Sequence, residues 1–363
     1  MLRRTSRTLI AAVLSATLLA PSAPAAENEL DALATIVEAW LASPHADYHS
    51  RSFTYWNADG EVPATCAACH SQPGFLDYLG ADGSVAGSVE SPAAINAPVG
   101  CAVCHVSEAH ALDAVSFPSG VTVDGLGTSA TCTVCHQGRA SGDAVAAATA
   151  SLAKDEVSAD LRFINVHYGV AAAVLRGAEV RAGFQYADLS YAGRFEHASG
   201  VRTCVECHEP HTTRVDTASC ATCHQGANDI RAIRLGRTDY DGDGDVSGGV
   251  RAEILGLRAR LYEAIRGYAT EVAGAPIVYA DAFPYFFADP DGDGAIAPED
   301  ATMPNRYQSW TPRLLQAAYN YQVAKKDPGG WVHNPDYLLQ ILHDSLLDLS
   351  ERVDVETQAL RRP

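Results

Sequence analysis

Five copies of Cys-x-x-Cys-His use every cysteine in the chain: Cys66-Ala-Ala-Cys69-His70, Cys101-Ala-Val-Cys104-His105, Cys132-Thr-Val-Cys135-His136, Cys204-Val-Glu-Cys207-His208 and Cys220-Ala-Thr-Cys223-His224. Two thiols three residues apart share one turn. There each can form a thioether to a haem vinyl group, and the imidazole that follows reaches the iron as proximal ligand. With 13 His in 363 residues, a His after all five pairs by chance has a probability on the order of 10⁻⁷. Zinc knuckles, redox dithiols and disulfides also use Cys pairs, but none requires the invariable His, and a disulfide framework suits a much shorter chain. Each motif therefore reads as one covalently attached c-type haem. Five such groups supply much of the apolar core, so long loop-rich stretches can be ordered around them.

The N-terminus fits this reading. Arg3, Arg4 and Arg7 precede an apolar run from Leu9 to Ala20, and Ala23-Pro-Ala25 is a cleavage signal of the A-x-A type, so residues 1–26 read as an export leader. No other run approaches the roughly 20 apolar residues of a spanning helix, so no membrane span is expected in the mature chain. Export places the protein in the periplasm or outside the cell, where c-type haem is attached. Without the leader, 23 basic residues face 44 acidic ones, a formal charge of −21. That charge disfavours nucleic acid and anionic lipid. It favours a basic patch on a redox partner, either another redox protein or a membrane quinol-linked complex.

Each iron has a second axial position. Methionine is nearly excluded as its ligand, because the chain has only Met1 and Met303. Eight His lie outside the motifs, at 45, 49, 110, 167, 197, 211, 333 and 343, so supply exceeds the five needed.

Several runs resemble multihaem cytochromes of the octahaem tetrathionate reductase and hydroxylamine oxidoreductase group: Asn165-Val-His167-Tyr168, Tyr191-Ala-Gly-Arg-Phe-Glu-His197, and Cys204-Val-Glu-Cys207-His208-Glu-Pro-His211. The tail adds Arg306-Tyr-Gln-Ser-Trp310-Thr-Pro-Arg313 and Lys326-Asp-Pro-Gly-Gly-Trp-Val-His333, and His333-Asn-Pro335 is similar to a distal-ligand segment of pentahaem ammonia-forming nitrite reductase. The resemblance implies His45, His167, His197, His211 and His333 as distal ligands, one per haem. It leaves His49, His110 and His343 as solvent-facing or supporting residues, with His110 closest to a motif. The chain departs from the enzymes in lacking a Cys-x-x-Cys-Lys haem. The expectation is therefore an electron-carrying pentahaem cytochrome with bis-His haems. The alternative is a reductase or oxidoreductase acting on a small nitrogen or sulfur oxyanion at one open haem, and a homo-oligomer or larger cytochrome assembly is a third option.

Two acidic loops, Asp239-Tyr-Asp241-Gly-Asp243-Gly-Asp245 and Asp289-Pro-Asp291-Gly-Asp293-Gly, reproduce the first half of an EF-hand loop. They make one or two Ca²⁺ ions candidate cofactors. In the second loop Asp300 falls at position 12; in the first, position 12 is Val250 and the nearest acid is Glu253. The bland reading is a pair of Asp/Gly turns.

The expected fold class is mainly α, a multihaem cytochrome c fold. A loop-rich haem-binding region over 27–230 leads into a C-terminal bundle of long helices over 231–363. Ile254, Leu257, Leu261, Ile265 and Tyr268 mark a helix over 250–270. Pro312 opens another reaching Lys326, and Pro335 a third reaching about Val353, with Leu338, Leu342, Leu346 and Leu349 on one stripe. Strand signals are confined to short stretches such as Gly120 to Val123.

Overall fold

The three long helices that the apolar spacing marks are the centre of the protein. They run from Val250 to Glu271, Pro312 to Lys326 and Pro335 to Ser350, and are called here the first, second and third core helices. The computed structural model describes residues 23–198, 200–225 and 229–363; residues 1–22, which hold most of the leader, lie outside the described residues. The fold is mainly helical, with three two-stranded antiparallel sheets among the described residues.

Local chemistry sets the ends of the core helices. Thr311 accepts from Leu314 N through its side chain and Pro312 follows; Asn334 accepts from Tyr337 N and Pro335 follows. In each case a polar cap satisfies one orphan amide and a proline with pre-set φ opens the first turn. The third helix ends at Ser350, three residues before the expected Val353, where the chain turns with Arg352 N bonded to Leu349 O.

The first core helix buries Ile254, Leu257, Leu261, Ile265 and Tyr268, the stripe its sequence shows. The second is buried on every side, yet it carries Arg313, Gln316, Asn320, Gln322 and Lys326. Each of these side chains has a partner, with Gln322 Nε2 the one buried donor left unbonded. Gln316 donates to Thr149 Oγ1 at 3.0 Å, Gln322 Oε1 accepts from Val166 N at 3.0 Å, and Asn320 Oδ1 accepts from Phe184 N at 2.7 Å. Lys326 lies 3.2 Å from Asp281 and over the Tyr168 ring at 3.8 Å. The second core helix thus grips the segment between the third and fourth Cys-x-x-Cys-His motifs, and that segment carries His167.

The haem-binding stretch is built from short pieces. The first and third motifs form helices Ala64–His70 and Ala130–His136, and the second closes the short helix Ala102–His105. The fourth begins a 3₁₀ turn, Cys204–Glu206, and the fifth starts at the end of helix Thr217–Cys220. Two of the sheets lie here: Glu61–Val62 with Ala93–Ala94, and the hairpin Val115–Ser116 with Thr122–Val123, the latter where the strand signal stood. The third pairs Ile277–Tyr279 with Phe286–Ala288 in the register Val278 to Phe287. One apolar cluster runs from Phe75 and Val134 through Val166 and Val174 to Leu257, Leu314 and Leu342, so both halves of the chain share a core.

Candidate haem-binding sites

Every motif imidazole faces one of the five expected distal histidines, and each distal histidine is used once. Ring centroids are 5.8 Å apart for His70 and His167, 6.3 Å for His105 and His211, and 6.5 Å for His136 and His45. They are 6.4 Å apart for His208 and His333, and 6.0 Å for His224 and His197. An imidazole nitrogen lies about 2 Å from a metal it binds. Two rings on opposite sides of one iron therefore have centres roughly 6 Å apart. All five separations fit an iron between the rings.

The Nδ1 contacts fit as well. A ring that binds metal through Nε2 uses Nδ1–H as a donor, and that bond fixes its tautomer and orientation. His70 Nδ1 bonds Ser52 O at 2.8 Å, His136 Nδ1 bonds Gly169 O at 3.0 Å, and His208 Nδ1 bonds Thr213 O at 3.2 Å. Two distal rings have carboxylate partners instead: His211 bonds Glu209 at 3.0 Å, and His333 bonds Asp327 at 2.7 Å. Burial lowers the pKa of His45, His70 and His197, and that of His167 to about 4. These rings are neutral at pH 7, the form that binds iron. At His333 burial also opposes the charge, but Asp327 outweighs it and the net pKa is raised.

The distal residues come from distant parts of the chain. His45 sits in a turn after the helix Ala23–Leu41. Its carbonyl accepts from Val99 N at 3.1 Å, and Trp40 Nε1 donates to Val99 O at 2.9 Å, which ties this segment to the chain entering the second motif. His167 has φ +80°, a conformation that costs a non-glycine residue on the order of 1–3 kcal/mol. It is over-determined there: Asn165 Oδ1 accepts from His167 N at 2.9 Å and Gln322 holds Val166. The next turn serves a second site, because Gly169 (φ +63°) presents its carbonyl to His136, and a Cβ on Gly169 would lie 2.9 Å from His136 Nδ1. Val166 to Gly169 therefore positions candidate ligand rings of the first and third motifs together.

The motif segments adjoin one another. Cys69 Sγ is 3.7 Å from Val134 O and Cys135 Sγ 3.9 Å from Ala68 O, so the first and third motif helices pack side by side. Cys204 N donates to Ser129 Oγ at 3.1 Å, which sets the fourth motif against the start of the third. His211, three residues after the fourth motif, reaches the second motif at His105. The ten cysteines form no disulfide.

Of the remaining histidines, His49 and His343 lie apart from the motif rings and His110 does not. His49 lies against the Tyr48 ring at 4.0 Å, and His343 is buried with Nδ1 3.0 Å from Asp344. His110 is a second neighbour of His105, with centroids 6.3 Å apart and planes inclined at 63°. Sequence reasoning did not find Asp327 or Glu209. A carboxylate two residues before His211 and six before His333 was the available signal.

The acidic loops also take shape. Carboxylate oxygens of Asp239, Asp241 and Glu253 converge within 4.8 Å, as do those of Asp289, Asp291 and Asp293. Asp243, Asp245 and Asp300 lie outside these groups. Asp243 and Asp245 accept from Asp245 N and Ser247 N in successive turns, and Asp300 N bonds Ala297 O in a turn of its own. The later acid that joins the first loop is Glu253, in the opening turn of the first core helix.

Comparison with known proteins finds C-type polyheme cytochrome OmcB of Geobacter sulfurreducens, 25% identical over 389 aligned residues that cover 85% of this chain and 48% of that protein, in two strains. C-type polyheme cytochrome OmcC of the same species is 26% identical over 275 residues, 63% of this chain and 32% of that protein. The chain spans about half the length of the first of these relatives. No family model matches the chain, and no solved structure does. The similarity supports a multihaem c-type cytochrome with covalently bound haems. No helix among the described residues is long and apolar enough to cross a membrane.

Proposed function

We propose that the chain is an exported pentahaem c-type cytochrome that carries electrons between redox partners through five bis-His haems. The pairing of motif and distal imidazoles carries this reading: His70 with His167, His105 with His211, His136 with His45, His208 with His333 and His224 with His197, all near 6 Å. When bound, each haem supplies a one-electron couple, and two imidazole ligands set it lower than a His/Met pair would. The chain's own residues do the rest. Cysteine pairs anchor the groups, backbone carbonyls and two carboxylates orient the rings, and filled axial positions leave no site for substrate.

The contacts between motif segments favour a connected array, with the third motif touching the first and fourth, and the fourth touching the second through His211. The strongly acidic surface favours partners with basic docking faces, in the periplasm or outside the cell. The test is a haem count on the purified protein, by pyridine haemochrome and intact mass. The proposal expects five covalent haems per chain and no CO binding to the reduced form. A lower count, or one haem that takes up CO rapidly, would replace the carrier with the reductase reading.

A further inference from the structure

The two acidic loops share a motif but not an environment, and the difference selects one of them. In the first loop an arginine meets Glu253, whose Oε1 has no hydrogen-bond partner, although burial and the neighbouring carboxylates still push the Asp241 carboxyl up to about 6. Arg234 Nη1 lies 2.9 Å from Glu253 Oε1, and the same guanidinium donates to the carbonyls of Gly236, Gly248 and Thr238. Glu253 Oε2 is filled by the amides of Tyr240 and Asp241.

The second loop has no such internal cation at bonding distance. Asp289 is 2% exposed; its Oδ2 accepts from Gly294 N at 3.0 Å, but its Oδ1 is buried with no hydrogen-bond partner. Arg266 comes no nearer than 3.9 Å to Oδ2 and is directed instead at Gly292 O, 3.4 Å away. A buried carboxylate oxygen without a donor bears its full desolvation penalty uncompensated. Asp291 and Asp293 bring their oxygens within 4.8 Å of this group, so three negative charges converge where one oxygen is already unmet. A cation answers both costs, and a hard oxygen-only donor set is what calcium takes. Asp289 and Gly292 also line a 330 Å³ cleft with Arg266, Thr270 and Ile277, which gives an ion a route to the buried carboxylate.

We infer that Asp289, Asp291 and Asp293 form a calcium site in the loop that follows the hairpin Ile277–Ala288. The inference is independent of the haem assignment. With three side-chain donors and water completing the shell, the affinity belongs with extracellular modules, at about 10⁻⁴ to 10⁻³ M. The site is therefore occupied in calcium-containing medium and open to removal by chelator.

The test is isothermal titration of CaCl₂ into the chelator-treated, haem-loaded protein. Asp291 and Asp293 are exposed, so Asp291→Asn with Asp293→Asn leaves the core intact, and haem absorbance and circular dichroism check that the variant folds. The expected result is an equivalent of calcium bound by the parent and lost, or weakened at least tenfold, in this double variant. Asp239→Asn with Asp243→Asn should leave that equivalent in place. Absence of calcium binding by the parent, or binding unchanged in the Asp291/Asp293 variant, would overturn the inference.

Discussion

Asp327 controls the potential of one haem if the His208/His333 pair holds iron. The carboxylate is 2% exposed and accepts from His333 Nδ1 at 2.7 and 3.0 Å, so a buried negative charge sits directly behind the distal ring. Such a carboxylate makes the imidazole more basic and favours the more positive ferric ion. Asp327→Asn keeps an oxygen for His333 and for Gly329 N, which now bonds Oδ1 at 3.1 Å, and removes only the charge. Loss of an orienting partner of this kind weakens metal binding about 10–100-fold. If that loss falls on the ferric state, each factor of ten raises a one-electron potential by about 59 mV. One haem of the five should therefore move up by roughly 60–120 mV while the others stay in place. Spectroelectrochemical titration of the α-band resolves this shift. Five unchanged potentials, or a downward shift, would refute the link between Asp327 and an iron at His333.

Other perturbations probe different parts of the fold. His211→Ala should convert one haem to a high-spin, CO-binding form while all five remain attached, because thioethers hold the porphyrin whatever the distal ligand; an unchanged low-spin count would break the pairing with His105. Arg313 is buried between Asp155, Asp348 and Glu351 at 2.7, 2.8 and 2.7 Å, so Arg313→Met should cost about 3–5 kcal/mol in denaturant melts, since it strands the buried Asp348 carboxylate. The cost should shrink in acid. Burial raises the Asp155 carboxyl, but Arg313 and Tyr268 outweigh it and hold the pKa below the usual value; Arg313 lowers Glu351 as well. Groups depressed on folding contribute fully above the unfolded pKa, about 4, and lose that contribution as pH falls through their folded values. The gap between parent and variant should therefore narrow below about pH 4, and a gap independent of pH would rule out the ion pairs as its source.

Much of this was legible in the sequence because it is local. Cys-x-x-Cys-His is a one-turn device, the Leu338 to Leu349 stripe follows helical period, and Pro312 and Pro335 each open the helix where expected. The distal set came from runs around His167, His197, His211 and His333, and all of these face a motif ring. The partner of each ring was not legible. His45 lies just before the first motif yet faces His136 of the third, because the turn at 43–46 is tied to Val99 rather than to the chain that follows it. Backbone acceptors such as Ser52 O and Gly169 O leave no trace in side-chain identity, and Asn320 and Gln322 look like surface residues until Phe184 and Val166 are placed beside them. The acidic loops show the same limit. Spacing favoured the second only through Asp300, whereas what separates them is how Arg234, five residues before the first loop, and Arg266, 23 residues before the second, meet their carboxylates.

The central claim is that each of the five irons lies between two imidazoles. Near-infrared magnetic circular dichroism of the fully oxidised protein, with electron paramagnetic resonance on the same sample, reads axial ligands directly. The account expects five low-spin ferric haems, all with the bis-imidazole charge-transfer signature and no high-spin component. A high-spin signal, or a methionine- or lysine-ligated haem, would contradict it.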